Sequence, residues 1–204
     1  THLSARLPPL PDWKYLDERN KVYFYQLAMQ DAEKFNRELK LTPFVLNISN
    51  SLIKAFYNQK KALADYLREN IDKRLKSNLK HPVAFYFVIE TAKKGKLHIQ
   101  GALLISESEQ EQVKIALHKV NRKMTAVEKS RCLVFRLGKR KELIKDKGNL
   151  YATLNWADYN LKEYRYNRVR YSVKPASSQP LTRLTQKYYE RLRAKKNRGK
   201  SLVT

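Results

Sequence analysis

Cysteine is nearly absent from this sequence: Cys132 stands alone among 204 residues. One thiol can form neither an internal disulfide nor a Cys-based zinc cluster. Within Cys132-Leu133-Val134-Phe135 it reads as a small buried side chain. No apolar run approaches membrane-spanning length, and the start, Thr1-His2-Leu3-Ser4, has no signal-peptide pattern. The expectation is a cytoplasmic protein without a membrane partner. Acidic residues are the other shortage. Asp and Glu total 19 against 43 Lys and Arg, a net charge of +24. An excess of that size attracts a polyanion, with counterion release making the affinity strong and salt-dependent. The bases are spread along the chain and not gathered on one amphipathic helix, which favours nucleic acid over a lipid surface. Thirteen tyrosines scattered among them suit stacking on unpaired bases.

At 24.1 kDa and 42% hydrophobic residues the chain can bury one substantial core. Residues 1–41 read as an N-terminal arm, carrying Pro8, Pro9 and Pro11, and a helix from Tyr15 to about Leu39 on the spacing of Leu16, Tyr23, Leu27 and Phe35. Pro43 to Ser49 reads as the first core strand. Ser49, Asn50 and Ser51 then offer N-caps to one long helix reaching about Asn78, with Leu52, Phe56, Leu63, Leu67, Ile71 and Leu75 on its apolar face.

Residues 83–106 hold the most informative pattern. Two runs of apolar, β-branched and aromatic residues flank Ala92-Lys93-Lys94-Gly95-Lys96, the signature of a β-hairpin with a short glycine-containing loop. Symmetry about Lys94 places Glu90 opposite His98 and Val88 opposite Gln100. Side chains alternate along a strand, so Glu90, His98 and Gln100 share one face while Leu97, Ile99 and Leu103 point into a core. Two potential oxygen donors and an imidazole gathered on a rigid support suit a divalent cation, Mg²⁺ or Mn²⁺ rather than zinc.

Beyond the hairpin, Ser108-Glu109-Gln110-Glu111 has the form of a capping box, and Val113, Leu117, Val120 and Met124 continue as the stripe of a second helix. His118 reads there as a solvated helix residue, not a ligand. Arg131 to Leu137 reads as a strand and Gly138 to Gly148 as a basic loop along a phosphate backbone. Pro175 to Pro180 interrupts the chain before a last amphipathic helix with Leu181, Leu184, Tyr188 and Leu192. Arg193 to Lys200 forms a basic tail, disordered or in contact with DNA. The order strand, helix, strand, strand, helix, strand predicts an α+β fold: a ferredoxin-like βαββαβ antiparallel sheet with helices on one face, plus extra N- and C-terminal helices.

His98-Ile99-Gln100-Gly101 resembles the metal motif of the HUH endonuclease superfamily, in its single-tyrosine Rep form found in rolling-circle replication initiators. The first strand, with Asn47 near its end, loosely resembles the first Rep motif, and Trp156-Ala157-Asp158-Tyr159-Asn160-Leu161-Lys162 resembles the Tyr-x-x-Lys motif that carries the nucleophile. Leu150, Leu154, Ala157 and Leu161 form one apolar helix face, leaving Tyr159 and Lys162 together on another. Tyr171-Ser172-Val173-Lys174 repeats the spacing, but Tyr171 alternates as an inward strand residue between Arg170 and Ser172; Tyr151, Tyr164 and Tyr166 are further candidates. The motif departs from the more familiar version in having Ile99, and Gln100 where the His-His form has a second histidine.

The resemblance covers residues 42–175, with 176–204 left as a C-terminal helix and tail. It implies an enzyme that nicks one strand at a replication origin, forms a 5′-phosphotyrosyl intermediate through Tyr159 and rejoins the strand. Lys162 would assist, Mg²⁺ or Mn²⁺ would sit on Glu90, His98 and Gln100, and Asn47, Lys139, Arg140, Lys141, Arg168 and Arg170 would contact single-stranded or hairpin origin DNA. The setting would be a plasmid or phage in a bacterial host cell. These residues hold no phosphate-binding Gly-x-x-x-x-Gly-Lys-Ser/Thr loop, so any helicase would act in trans or lie outside these residues. A conjugative relaxase or transposase of the same superfamily fits too, as does a non-catalytic nucleic-acid-binding protein with an RRM-like sheet, which would carry aromatics where Glu90, His98 and Gln100 stand.

Overall fold

Alternation along three long strands decides the architecture. The computed structural model describes residues 10–91, 96–121, 124, 126, 132–135, 154–162 and 174–201. Strands β1 (Leu39–Asn47), β2 (Ala84–Thr91) and β3 (Leu97–Ser106) form the centre. With β4 (Leu133–Phe135) and β5 (Ala176–Ser177) they make one antiparallel sheet in the order β4-β1-β3-β2-β5. On one face Phe44, Leu46, Phe85, Phe87, Ile99 and Leu103 pack under α2 (Asn50–Phe56), α3 (Leu63–Leu79) and α4 (Gln110–His118). On the other, Leu41, Tyr86, Val88, Ala102 and Leu104 lie beneath α1 (Glu18–Phe35), α5 (Leu154–Leu161) and α6 (Gln179–Ser201). The expectation of helices on one face is corrected: three more helices cover the second face, because its Tyr, Val, Ala and Leu side chains need burial as much as the first. The residues of α1 and α6, expected as flanking extensions, contribute Val22, Tyr25, Met29 and Leu181 to that second core.

Asp17 starts α1, its side chain accepting the Asn20 N–H at 2.7 Å. The buried face of α1 is Val22, Tyr25, Ala28 and Met29, while Phe35, expected on it, is 80% exposed. β1 begins four residues before Pro43, which lies just outside the Phe44–Leu46 segment that β4 pairs with. Ser49 caps α2 by accepting the Leu52 N–H at 3.2 Å. The single long helix expected from Ser49 to Asn78 is two helices, separated by residues 57–62. Leu63, Leu67, Ile71 and Leu75 all reach the core from α3 as anticipated.

The capping box belongs to Ser106 and Glu109, not to Ser108 and Glu111. The Glu109 carboxylate accepts the Ser106 N–H at 2.8 Å where β3 ends. The helix itself stops at His118, before Val120 and Met124, and His118 is half-buried with Nδ1 3.8 Å from Cys132 Sγ. Cys132 is buried, as expected. β5 was not anticipated: Ala176 and Ser177 pair with Phe87 and Tyr86 at the sheet edge. The basic segment from Arg193 continues α6 to Ser201 and does not form a separate tail. Lys139, Arg140, Lys141, Arg168, Arg170, Tyr151, Tyr164, Tyr166 and Tyr171 lie outside the described residues. No helix among the described residues is long and apolar enough to cross a membrane.

Candidate active site

The hairpin register is the one that symmetry about Lys94 requires: Glu90 faces His98, and Val88 faces Gln100. Asn47 of β1 stands opposite His98 on its other side. Glu90, His98, Gln100 and Asn47 therefore share the sheet face that also carries Tyr86, Val88 and Ala102. His98 Nε2 lies 3.0 Å from Glu90 Oε2, and the Gln100 side-chain nitrogen lies 3.4 Å from His98 Nε2. Rotating the Gln100 amide by half a turn aims its oxygen at the same point, since amide oxygen and nitrogen exchange places in one shape.

Gly101 follows for a steric reason. A Cβ there would stand 1.9 Å from the Tyr86 carbonyl oxygen of β2, so the strands can close only if the position has no side chain. The Gly101 carbonyl accepts the Trp156 indole N–H at 3.0 Å, fixing α5 against β3.

Tyr159 on α5 and Lys162 just past its end fall together, as their spacing predicts. Lys162 Nζ lies 3.6 Å from the centre of the Tyr159 ring. It also lies 3.3 Å from Glu90 Oε2, so one ammonium touches both the sheet carboxylate and the tyrosine. Burial works against its charge, but the hydrogen bond with Tyr159 and the attraction of Glu90 outweigh that and hold Lys162 above the usual lysine range. Tyr159 is 43% exposed, open to a large substrate. Trp156, one turn earlier, stacks on it with ring centres 5.5 Å apart and planes 12° from parallel. Ala157 and Leu161 are buried in the second core, as the expected apolar face requires.

Glu90 is 1% exposed and its Oε1 has no hydrogen-bond partner among the described residues; the same holds for His98 Nδ1. A buried carboxylate oxygen without a donor is costly, and a cation relieves it. The donor set of one carboxylate, one imidazole and one amide oxygen fits a hard divalent ion such as Mg²⁺ or Mn²⁺. No group of three His, Cys, Asp or Glu able to hold a metal occurs among the described residues, so Gln100 is required for a third ligand.

No family model, no curated protein and no solved structure matches this chain. What the site can do therefore rests on its own geometry.

Three supporting contacts were not legible in the sequence. The Asn121 side chain donates to the Asn47 carbonyl at 2.7 Å and accepts the Ser49 N–H at 2.8 Å, pinning the strand end opposite His98. The Tyr23 hydroxyl of α1 hydrogen-bonds Asp158, next to Tyr159. Asn160, on the other side of Tyr159, donates to the buried Tyr86 hydroxyl at 3.3 Å, which donates to Gln26 of α1 at 2.8 Å. Only Trp156 carried a sequence signal, its spacing one helical turn before Tyr159.

Proposed function

We propose that this chain is a metal-dependent DNA strand transferase of the replication-initiator type, with Tyr159 as nucleophile. The observation that carries the reading is the shared ammonium: Lys162 joins Tyr159 of α5 to Glu90 of β2, so two residues 69 positions apart in sequence meet at one place. The ferredoxin-like reading of the core is supported by the antiparallel order β4-β1-β3-β2, to which β5 adds an edge. An RRM-style binder needs an open sheet face for stacked bases. Both faces of this sheet carry helices, which favours the enzyme.

In the proposed reaction the Tyr159 oxygen attacks a backbone phosphorus. The new O–P bond replaces the bond to the 3′ oxygen, which leaves as a hydroxyl after taking up a proton, while the phenol proton passes to solvent. Glu90, His98 and Gln100 would hold the divalent ion, which supplies Lewis-acid polarisation of the scissile phosphate when bound. Trp156 holds the Tyr159 ring by stacking, and the Lys162 ammonium stabilises charge developing on the attacking and phosphoryl oxygens. The phosphotyrosyl ester conserves the energy of the cut, and attack by a 3′-hydroxyl reverses the step and rejoins the strand. The substrate is single-stranded or extruded, because a tyrosine on a packed helix cannot reach an in-line position inside an undistorted duplex.

Incubation with origin-derived single strands and Mn²⁺ tests this. The expected product is a protein–DNA adduct that survives denaturing electrophoresis. Tyr159→Phe keeps the ring and loses the adduct; Tyr171→Phe keeps the adduct. His98→Ala loses cleavage but retains salt-dependent DNA binding, which comes from dispersed Lys and Arg. Absence of adduct from the unaltered protein on every strand tried would leave a binding module instead.

A further inference from the structure

We propose that the Lys162 ammonium is the resident counter-cation of Glu90 and competes with the divalent ion for that carboxylate. The inference rests on reading Glu90, His98 and Gln100 as an ion site and adds how that site is kept when no ion is bound. Glu90 Oε2 has two nitrogen neighbours, His98 Nε2 at 3.0 Å and Lys162 Nζ at 3.3 Å. His98 is fixed on β3, within the hydrogen-bonded ladder. Lys162 differs, because it reaches in from solvent with its side chain 39% exposed and stands just past the end of α5. Its head group can leave at small cost, as a flexible four-carbon stem allows.

Both an ammonium and a divalent ion want the same oxygen. A carboxylate that is 1% exposed favours a counter-charge at all times, and two cations at contact distance from one oxygen repel each other in a partly buried setting. Occupancy by one therefore opposes the other. The ammonium need not lose every contact when Glu90 is taken, since the Tyr159 ring centre already lies 3.6 Å from it. Lys162 thus bridges Glu90 and Tyr159 while it holds the carboxylate, and keeps only the tyrosine contact, with its charge free for the substrate phosphate, when the ion takes Glu90. Metal loading and the release of Lys162 are one event.

Competition is reciprocal: whatever the ammonium takes from ion affinity returns when the ammonium is removed. The test is Mn²⁺ binding to the full chain without DNA, followed by the electron paramagnetic resonance signal of free Mn²⁺, for the unaltered protein, Lys162→Met and Lys162→Arg. The expected result is a Kd lower by roughly five- to fiftyfold in Lys162→Met, with Lys162→Arg, which keeps the charge, close to the unaltered protein. Lys162→Gln serves as a second neutral variant should the Met protein fail to fold. An unchanged or weaker Kd in the neutral variants, with Mn²⁺ still bound, would overturn the competition and leave the ion site standing. No Mn²⁺ binding by any of these proteins would overturn the ion site and the competition together.

Discussion

Glu90 and His98 lie directly opposite each other in the β2–β3 ladder, with Oε2 and Nε2 3.0 Å apart. The pair sits where β2 and β3 approach the hairpin loop, on the face covered by α5, so the same alternation that builds the second core also delivers the pair to Tyr159.

Glu90→Gln separates ion binding from folding. The amide is nearly the same size, and removing the buried negative charge takes the carboxylate from the partly exposed Lys162 and from His98, to both of which the amide can still hydrogen-bond. The ion-free protein should melt at the same temperature or higher, as replacing buried charge by a neutral group often allows. The unaltered protein should gain about 2.7 kcal/mol when Mn²⁺ is present at about a hundred times its Kd. Thermal scans with and without Mn²⁺ should show that gain vanish in Glu90→Gln. A Mn²⁺-induced rise that persists in the variant would remove Glu90 from the ligand set.

Gly101→Ala should destabilise the whole fold. The added methyl would meet the Tyr86 carbonyl at 1.9 Å and Phe87 Cα at 2.7 Å, both backbone atoms of the central ladder that cannot move independently. A cost of about 1–3 kcal/mol is the ordinary range for such crowding. Urea unfolding checks it, and an unchanged midpoint would mean that β2 and β3 separate more easily than their register suggests.

The site was more legible than the fold around it because a hairpin is local. A glycine-containing loop between two apolar runs sets its register from nearby residues alone, and Glu90 opposite His98 follows from counting outward from Lys94. Tyr159 and Lys162 are likewise local, three positions apart across the end of one helix. Contacts between distant segments left no such trace. The Lys162–Glu90 pair spans two elements, and no spacing rule announces it. The break at residues 57–62 was hidden for a different reason: Phe56 and Leu63 are seven positions apart, two helical turns, and the stretch between contains neither Gly nor Pro. The two candidate capping boxes, Ser106 with Glu109 and Ser108 with Glu111, have the same form; only the end of β3 at Ser106 selects between them.

His81 should add a small pH dependence to stability. Its backbone hydrogen bond with Pro82 and its contact with Glu109 raise its pKa above 6.5. Glu109, though burial opposes it, is held below 4.5 by hydrogen bonds from Ser106 and His81. The histidine's share is fully present below pH 6.5 and fades as pH rises through the raised value. The glutamate's share is present above pH 4.5 and fades as pH falls through the lowered one. The pair therefore helps most between those two values. His81 is half exposed, so solvent screening limits the gain to about 0.5 kcal/mol or less. Stability curves of His81→Gln and the unaltered protein should converge toward pH 8 and differ near pH 5.5; a constant offset across that range would argue against the ion pair.

Tyr86→Phe tests whether α1 sets the position of α5. Tyr86 and Asn160 are both fully buried, and the Tyr86 hydroxyl lies between Asn160 of α5 and Gln26 of α1. Burial drives the Tyr86 phenol far above the usual tyrosine range, so it remains a neutral donor at any working pH. Without the hydroxyl, the Asn160 amide nitrogen loses that acceptor while its Oδ1 already has no partner among the described residues. Leaving a buried polar group unsatisfied costs about 1–3 kcal/mol, whereas the aromatic ring that stacks on Tyr25 is retained. The melting temperature should therefore fall, and the Tyr159 adduct should form more slowly even well below it, because Asn160 adjoins Tyr159 in the same helix. Mn²⁺ affinity should change little, since Glu90, His98 and Gln100 are held by the backbone pairing of β2 with β3, which the loss of one hydroxyl leaves intact. Slower adduct formation with unchanged Kd marks a positioning role for Tyr86, while a parallel loss of both would mean that the variant has disturbed the sheet itself.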